Sequence, residues 1–558
     1  MEYSKLVDTY RELGATQSTL EKTSILADFY TEVGDELQDV ILLSMGRAFP
    51  AWKDLDLGIS SKTMLDIIKE ATGKPDSEIE KSWKEHGDLG SAAEKLMENG
   101  GGQQSLMQRD LTVERVNQKL EKVATMGDGK GEQGSVSMDK KKREVAALLN
   151  DADPEEAKYI VRTFIENLRL GVGEGIVRDA LAETFFDGEY TEDIQRGYDF
   201  TNDFREVAEA CKEGIDAVNK LEIELLKPIN SMLAKKVETI QEGFEEVGKP
   251  AAIDYKYDGM RAQIHIKGDE VKVFTRRLED VTKQFPDVVS AVEDQIEAEN
   301  CIIDAEIVAY DPEDGSMIPF QQLSKRIKRK YKIQKLKNQI PVEVRPFDLL
   351  YNEDSKLDTN YSERWEELKQ IVEEKEKEVR LADRIETSKE QKVQEMQQRS
   401  LSEGQEGIMM KALDAKYKPG NRVGYMVKLK PTMETLDLAI IGGEWGEGRR
   451  SGWIGSLKLG CYHPEKDEYL MVGKMATGLT DEQLEELTDR LEPLVTEENG
   501  REIKVRPKVI VEVEYEEIQK SPNYDSGYAL RFPRMKQFRE DKEDSDSIEK
   551  VENLYNDQ

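Results

Sequence analysis

The hydrophobic residues of this chain change their period near residue 250, and that change sets what the chain can fold into. Before it, apolar positions recur at helical spacing: "SAAEKLMENG" closes on glycines, and in "EEAKYIVRTFIENLRLGVG" Ile160, Phe164 and Leu168 share a helical face. After it the period is two, and "AQIHIK", "EVKVFT", "CIIDAEIVAY" and "VEVRPFDLLY" read as strands. Between them, "ERWEELKQIVEE" reads as a helix with Leu368, Ile371 and Val372 on its apolar face. A third pattern begins near residue 431, where "DLAIIGGEWGEGRRSGWIGSLKLGCYH" and "KVIVEVEYEEI" look like strands joined by glycine-rich turns, compatible with a small β-barrel. The stretch "MGDGKGEQGSVSMDKKKR" (126–143) has the composition of a mobile surface loop. A chain of 558 residues is too long for one core. The expectation is therefore multidomain: all-α over 1–225, α+β over 226–430 and a β-barrel over 431–558.

Several function classes drop out on composition. No stretch approaches the roughly 20 apolar residues of a membrane span, and "MEYSKLVDTYRELG" lacks the basic and apolar regions of a signal peptide. A soluble, cytoplasmic protein without a membrane partner is expected. Cys211, Cys301 and Cys461 form no C-x-x-C pair, so three buried thiols are expected rather than a disulfide framework or a zinc site. His86, His265 and His463 are equally scattered, and a strand-face position accounts for His265 between Ile264 and Ile266.

With 81 basic against 115 acidic residues the formal charge is -34, which opposes non-specific binding of a polyanion in dilute salt. The field is uneven, because "SKRIKRKYKIQKLK" (324–337) carries eight Lys or Arg and no acid. An acidic shell with basic islands suits a DNA-binding protein working in concentrated salt, and a halophilic source is the expectation.

The stretch "DYKYDGMRAQIHIK" (254–267) places Lys256 directly before a strand. A lysine nucleophile attacking phosphorus needs its ammonium deprotonated and the phosphate oxygens neutralised, so carboxylates and further cations should come from later strands. They are present. "IIDAEIVAY" puts Asp304 and Glu306 on one strand face, "RPFDLLY" offers Phe347 for stacking on a base, "EGIMMK" brings Glu406 beside a glycine, and "MVKLK" aligns Lys428 and Lys430. Each is ordinary alone, since two acids or two lysines on a strand are usually its solvated side.

In order, "KYDGMR", "TRRLEDVT", "IIDAEIVAY", "RPFDLLY", "EGIMMK", "MVKLK" and "ALRFPRMKQFREDK" resemble the nucleotidyltransferase motifs of ATP-dependent DNA ligases of the archaeal and eukaryotic replicative type. "IENLRLGVGEGIVRDALAE" and "KPINSMLAKKV" are similar to the DNA-binding domain and junction of that group. The resemblance implies a helical DNA-binding domain (1–225), an adenylation (nucleotidyltransferase) domain (226–430) and an OB-fold domain (431–558). It implies that Lys256 takes AMP from ATP as a covalent lysyl-AMP, passes it to a 5′-phosphate at a nick in duplex DNA, and lets the 3′-hydroxyl displace it, in replication, repair and recombination. By motif, Glu306 and Glu406 bind Mg²⁺, with Mn²⁺ as the alternative. Nucleotide or nick contacts fall to Asp254, Arg261, Arg276, Glu306, Phe347, Arg422, Lys428 and Lys430. Arg534, Asp541 and Lys542 orient the departing pyrophosphate.

The chain departs from the family pattern at three places. Asp254 stands where glutamate is usual, Met426 where an aromatic is common, and Gln537 where arginine is usual. Archaeal relatives often carry a sliding-clamp-binding peptide where this chain has "QQSLM" (Gln103 to Met107), but Leu106 and Met107 replace the paired aromatic anchors, so the stretch reads as a weak clamp motif or an ordinary loop. A monomer is expected. The competing readings are an NAD-dependent ligase, an RNA ligase or capping enzyme, and a non-catalytic DNA clamp. The first lacks its cysteine module here, the second fits the long helical half poorly, and the third has no need of Lys256, Glu306 and Glu406.

Overall fold

The computed structural model describes residues 1–50, 52–53, 55–98, 111–126, 134–327, 333–431, 433–542 and 544–556. The chain forms two compact units, one of Met1, Asp8–Asp56 and Leu170–Pro431, the other of Glu2–Val7, Leu57–Arg169 and Thr432–Gln558.

In the first unit, the helix Thr19–Val33 begins where the Ser18 side chain accepts from the Glu21 N–H and ends at Gly34, whose φ of 52° suits glycine. It packs on Glu174–Phe186. The strands that follow are β1 (Leu233–Val237), β2 (Ala251–Lys256), β3 (Met260–Lys267), β4 (Glu270–Thr275), β5 (Asn300–Tyr310), β6 (Met317–Ile318), β7 (Val342–Asn352), β8 (Asp354–Ser355), β9 (Arg384–Thr387), β10 (Gly407–Ala412) and β11 (Arg422–Leu429). They build two sheets, ordered β1-β11-β10-β2-β9 and β4-β3-β5-β7-β8, with β6 added to β5. Both sheets contribute to one apolar core that includes Ile253, Ile264, Ile303, Leu349, Ile408 and Val427. On β2 the alternation buries Ile253 and Tyr255 in that core and sends Asp254 and Lys256 to the opposite face.

Three alternate residues of β3 hold the segment that enters this unit's sheets. Arg261 Nη1 donates to the Met232 carbonyl at 2.7 Å, Gln263 exchanges bonds with Ile229 at 3.0 and 2.9 Å, and His265 Nδ1 accepts from the Leu226 N–H at 3.1 Å. His265 thus takes the strand-face position expected of it, as a fully buried anchor, and burial pushes its imidazole down to about 3.

In the second unit the helices Ser61–Thr72, Asp76–His86, Leu89–Glu98, Val113–Thr125, Gly134–Asp151 and Pro154–Phe164 pack together. Asp88 accepts from Arg162 at 3.0 and 2.8 Å, which, with the Ser91 bonds, holds its carboxyl at about 2 against the upward push of burial. Two helix boundaries differ from the sequence reading. Of the loop expected over 126–143, residues 127–133 lie outside the described residues, and from Gly134 the chain is helical because Val145, Leu148 and Leu149 bury one face. The run through Leu168 stops at Phe164, since Glu166 and Arg169 take left-handed backbone.

The rest of this unit is β-rich: β12 (Leu436–Trp445), β13 (Ile454–His463), β14 (Glu468–Met475), β15 (Val495–Asn499), β16 (Glu502–Val505), β17 (Ile510–Glu514), β18 (Glu517–Lys520), β19 (Tyr528–Arg531) and β20 (Arg534–Phe538). One sheet runs β14-β13-β12-β16-β15, with β17 also paired to β12 and β20 added outside β17, while β18 pairs with β19. Leu438, Leu457, Val472 and Val511 lie in its core. All three cysteines are buried, each thiol pushed up to about 12. Among the described residues no helix is long and apolar enough to cross a membrane.

Candidate active site

Lys256 is the last residue of β2 and pairs in register with Gly407 at the start of β10. A side chain at Gly407 would meet the Leu429 carbonyl at 2.4 Å, and the backbone there has a φ of 131°, so only glycine lets β10 lie this close to the end of β11. Gly259 serves the neighbouring turn in the same way, since a Cβ would sit 2.6 Å from the Ile307 carbonyl and 2.8 Å from Glu306 Cγ. These glycines bring Lys256, Glu306 and Glu406 together from three strands or strand ends.

Glu406 Oε2 pairs with Lys256 Nζ and, at 2.8 Å, with Lys430 Nζ. The two ammonium groups overcome burial and hold its carboxyl at about 2. Glu306 shows the opposite balance. Burial, with Glu406 and Asp304 nearby, outweighs Lys256 and Arg261 and pushes its carboxyl up to about 8. Two carboxylates that answer to the same lysine are therefore held in opposite protonation tendencies, the pattern found where acids do chemistry.

Cations surround this pair. Arg261 lies opposite Glu306 in the β3–β5 register and is clamped by Asp304 at 3.0 and 2.6 Å, with Tyr417 bridging Asp304 (2.9 Å) and Arg261 (3.2 Å). The site thus presents Arg261 as a fixed, bonded charge. Arg276, just past β4, is pushed down by burial and by Arg261 and Arg422, with Glu306 opposing, so these four groups act on one another. A guanidinium crowded by other cations, as Arg276 is, is a ready place for an anion. Lys428 faces Met409 in register, two residues before Lys430.

Phe347 on β7 is half-buried under two cations, with Lys411 Nζ 4.8 Å and the Arg261 guanidinium 5.5 Å from its ring. Asp254 is buried, and its Oδ2 accepts from Lys411 at 2.6 Å and from the Tyr361 hydroxyl at 3.0 Å. Lys411, Tyr361 and Tyr417 are site residues that the sequence reading passed over. Lys411 stands inside the quoted motif "EGIMMK" and Tyr417 opens the stretch "YKPGNR" that ends on Arg422, whereas nothing in the sequence singles out Tyr361. A groove of about 630 Å³ runs past Trp365, Arg380, Asp383 and Arg384 without including Lys256.

Together these residues set a lysine between two carboxylates, beside a half-buried aromatic ring and bonded cations. The family model described as "ATP dependent DNA ligase domain" matches residues 231–430, that of "DNA ligase N terminus" 2–182, and that of "ATP dependent DNA ligase C terminal region" 450–542. The DNA ligase of Thermococcus fumicolans is 42% identical over 560 residues, covering 100% of this chain and 98% of the relative.

The chain belongs to the ATP-dependent DNA ligase family. It is an enzyme that uses ATP to seal nicks in DNA. The DNA ligase of Methanopyrus kandleri is likewise 42% identical, over 100% of this chain and 99% of that one. A solved structure described as Pmar-Lig_Pre. has the same fold at 18% identity, with a TM-score of 0.61 over 96% of this chain and 99% of that chain.

The second unit of the ligase carries the remaining candidates. Arg534 is exposed at the start of β20. Asp437 on β12 is buried and binds Arg539 at 2.9 and 3.0 Å as well as Lys542. Arg539 also donates to Asp541 at 2.9 and 2.8 Å, which draws that carboxyl down to about 2. Gln537, where relatives usually have arginine, donates to Glu512 at 2.7 Å. The clamp motif Gln103 to Met107 lies outside the described residues. So do residues 328–332 of the basic island, and its Arg326 is a buried partner of Asp287 rather than a surface cation.

Proposed function

We propose that Lys256 is the nucleophile of a three-step nick-sealing reaction. Its amine attacks the α-phosphorus of ATP, an N–P bond forms as the α–β bridging bond breaks, and pyrophosphate leaves. The 5′-phosphate at the nick then displaces the lysine, giving an adenylated DNA end, and the 3′-hydroxyl displaces AMP to close the backbone. The observation that carries this reading is the contact of Lys256 with Glu406, itself bound to Lys430, beside a Glu306 of raised pKa. That arrangement holds the amine in place and sets beside it a buried carboxyl whose proton a bound divalent cation would displace.

Arg261, Arg276, Arg422, Lys428 and Lys430 hold the phosphates, Phe347 stacks on the base, and Asp254 reads its amino group. Glu306 and Glu406 hold a divalent ion, Mg²⁺ with Mn²⁺ as the alternative, which when bound neutralises phosphate oxygens. The donor set fits, because such an ion takes hard oxygen ligands from one or two carboxylates and completes its shell with substrate phosphate and water.

In this reading residues 1–225 form a DNA-binding domain, 226–430 an adenylation domain and 431–558 an OB fold, from which Arg534 and Lys542 orient pyrophosphate. The enzyme works as a cytoplasmic monomer on duplex DNA in replication, repair and recombination. Intact-mass spectrometry after clearing bound AMP with pyrophosphate, then adding ATP and Mg²⁺, tests the first step. One added AMP in the wild type and none in Lys256→Ala is expected, whereas no adduct in either overturns the reading.

A further inference from the structure

Among the described residues, three buried polar atoms around Asp254 find no hydrogen-bond partner: Asp254 Oδ1, and Nε and Nη1 of Arg384. Both side chains are almost sealed, at 2% and 3% exposure, and the nearest approach between them, Nε to Oδ1, is 3.9 Å, too long for a hydrogen bond. Arg384 pairs directly with Asp254 in the β2–β9 register, so the two side chains share the sheet face that also carries Lys256, two residues along β2. Neither side chain is free to turn away. Lys411 and Tyr361 fix Asp254 through Oδ2, Arg384 Nη2 donates to Glu386 at 2.7 Å, and the guanidinium lies 4.7 Å from the Tyr361 ring and 4.6 Å from that of Trp365.

Buried donors and acceptors left unmatched are costly, and here they come as a pattern of one acceptor beside two donors. A carboxylate one methylene longer would close much of the gap to Arg384. Asp254 leaves it open, and an incoming group can use both sides.

We propose that Arg384 is a specificity-determining residue that donates to the ring nitrogen N1 of adenine while Asp254 Oδ1 accepts from the adjacent 6-amino group. This rests on the proposed lysyl-AMP reaction. The order of donor and acceptor matches adenine and opposes guanine, whose O6 would face the carboxylate and whose N1–H would face the guanidinium. Arg384 thereby helps decide which nucleoside triphosphate reaches Lys256.

The test compares self-adenylation of the wild type and of Arg384→Met with ATP and with 1-deaza-ATP, in which N1 is replaced by C–H. The ratio of kcat/KM for the two nucleotides on one protein does not depend on how much of that protein is folded. The wild type should prefer ATP by about tenfold or more, and Arg384→Met should lower kcat/KM for ATP while bringing the ratio close to one. A wild type that uses both nucleotides equally, or a variant that keeps the wild-type ratio, overturns the assignment, the first pointing to a bridging water as the partner of these atoms. Failure of ATP to label the wild type would instead sink the lysyl-AMP reading, so the two failures are distinct.

Discussion

The cleft around Lys256 and the cationic segment Arg534–Lys542 are both built of paired charges, but in different ways. Around Lys256 the charges are cross-braced about a buried centre: Asp304 is fully buried beneath Arg261, Asp254 and Lys411 are buried together, and the half-buried Glu406 joins two lysines. In the C-terminal segment only the anchor, Asp437, is buried, while Asp541 and Arg534 are open to solvent. A buried network keeps its geometry because breaking it strands a charge, whereas exposed pairs are worth little and exchange readily. The cleft is therefore suited to hold a nucleotide at fixed distances, and the segment to trade its partners for those of a phosphate.

The largest test of that contrast is Lys256→Ala. We expect no adenylyl-protein and a fall in overall sealing of about four orders of magnitude or more, with a much smaller fall on a nick that already carries AMP. An equal loss on both substrates would make the lysine a structural post. Next comes Glu406→Gln, which should lower adenylation by about 10²–10³-fold. Lys542→Ala in the exchangeable segment should cost about 10–100-fold in adenylation, and less in sealing a pre-adenylated nick. Were the Lys542 loss the greater, the division into a fixed cleft and an exchangeable segment would fail.

Much of this was legible in the sequence, because period and motif both act locally. The alternation in "CIIDAEIVAY" and "VEVRPFDLLY" marks β5 and β7, and the motif order marks Lys256, Glu306 and Glu406. What stayed hidden depends on register between distant strands. Arg384 meets Asp254 only because β9 pairs with β2, 130 positions away along the chain. The clamp of Arg261 by Asp304 and Tyr417 likewise brings together three separate segments. His265 looked ordinary because its partner is a backbone N–H, which carries no sequence signature.

That anchor gives a prediction of intermediate size. An unfolded histidine takes its proton below about 6.5, and His265 in the fold only near 3. Between these values the unfolded chain binds more protons, so stability falls as pH drops, by about 1.4 kcal/mol per pH unit from this group alone. Urea unfolding of His265→Gln from pH 7 to pH 4 should show a shallower loss than the wild type. Parallel curves would mean that the imidazole is not neutral in the fold.

The smallest effect concerns the -34 charge. Self-repulsion of an acidic surface opposes the compact state, and salt screens it, with a Debye length of about 10 Å at 0.1 M and about 3 Å at 1 M. Raising KCl over that range should therefore raise the melting temperature by a few degrees and increase self-adenylation modestly. DNA binding responds the other way, because each phosphate contact releases counterions and weakens with salt. The two trends separate the cleft from the DNA-binding surfaces: adenylation should climb with KCl while the apparent affinity for nicked DNA declines, giving overall sealing an optimum between them. An adenylation rate that falls steadily from low salt would remove the halophilic reading and leave the acidic surface as a matter of solubility alone.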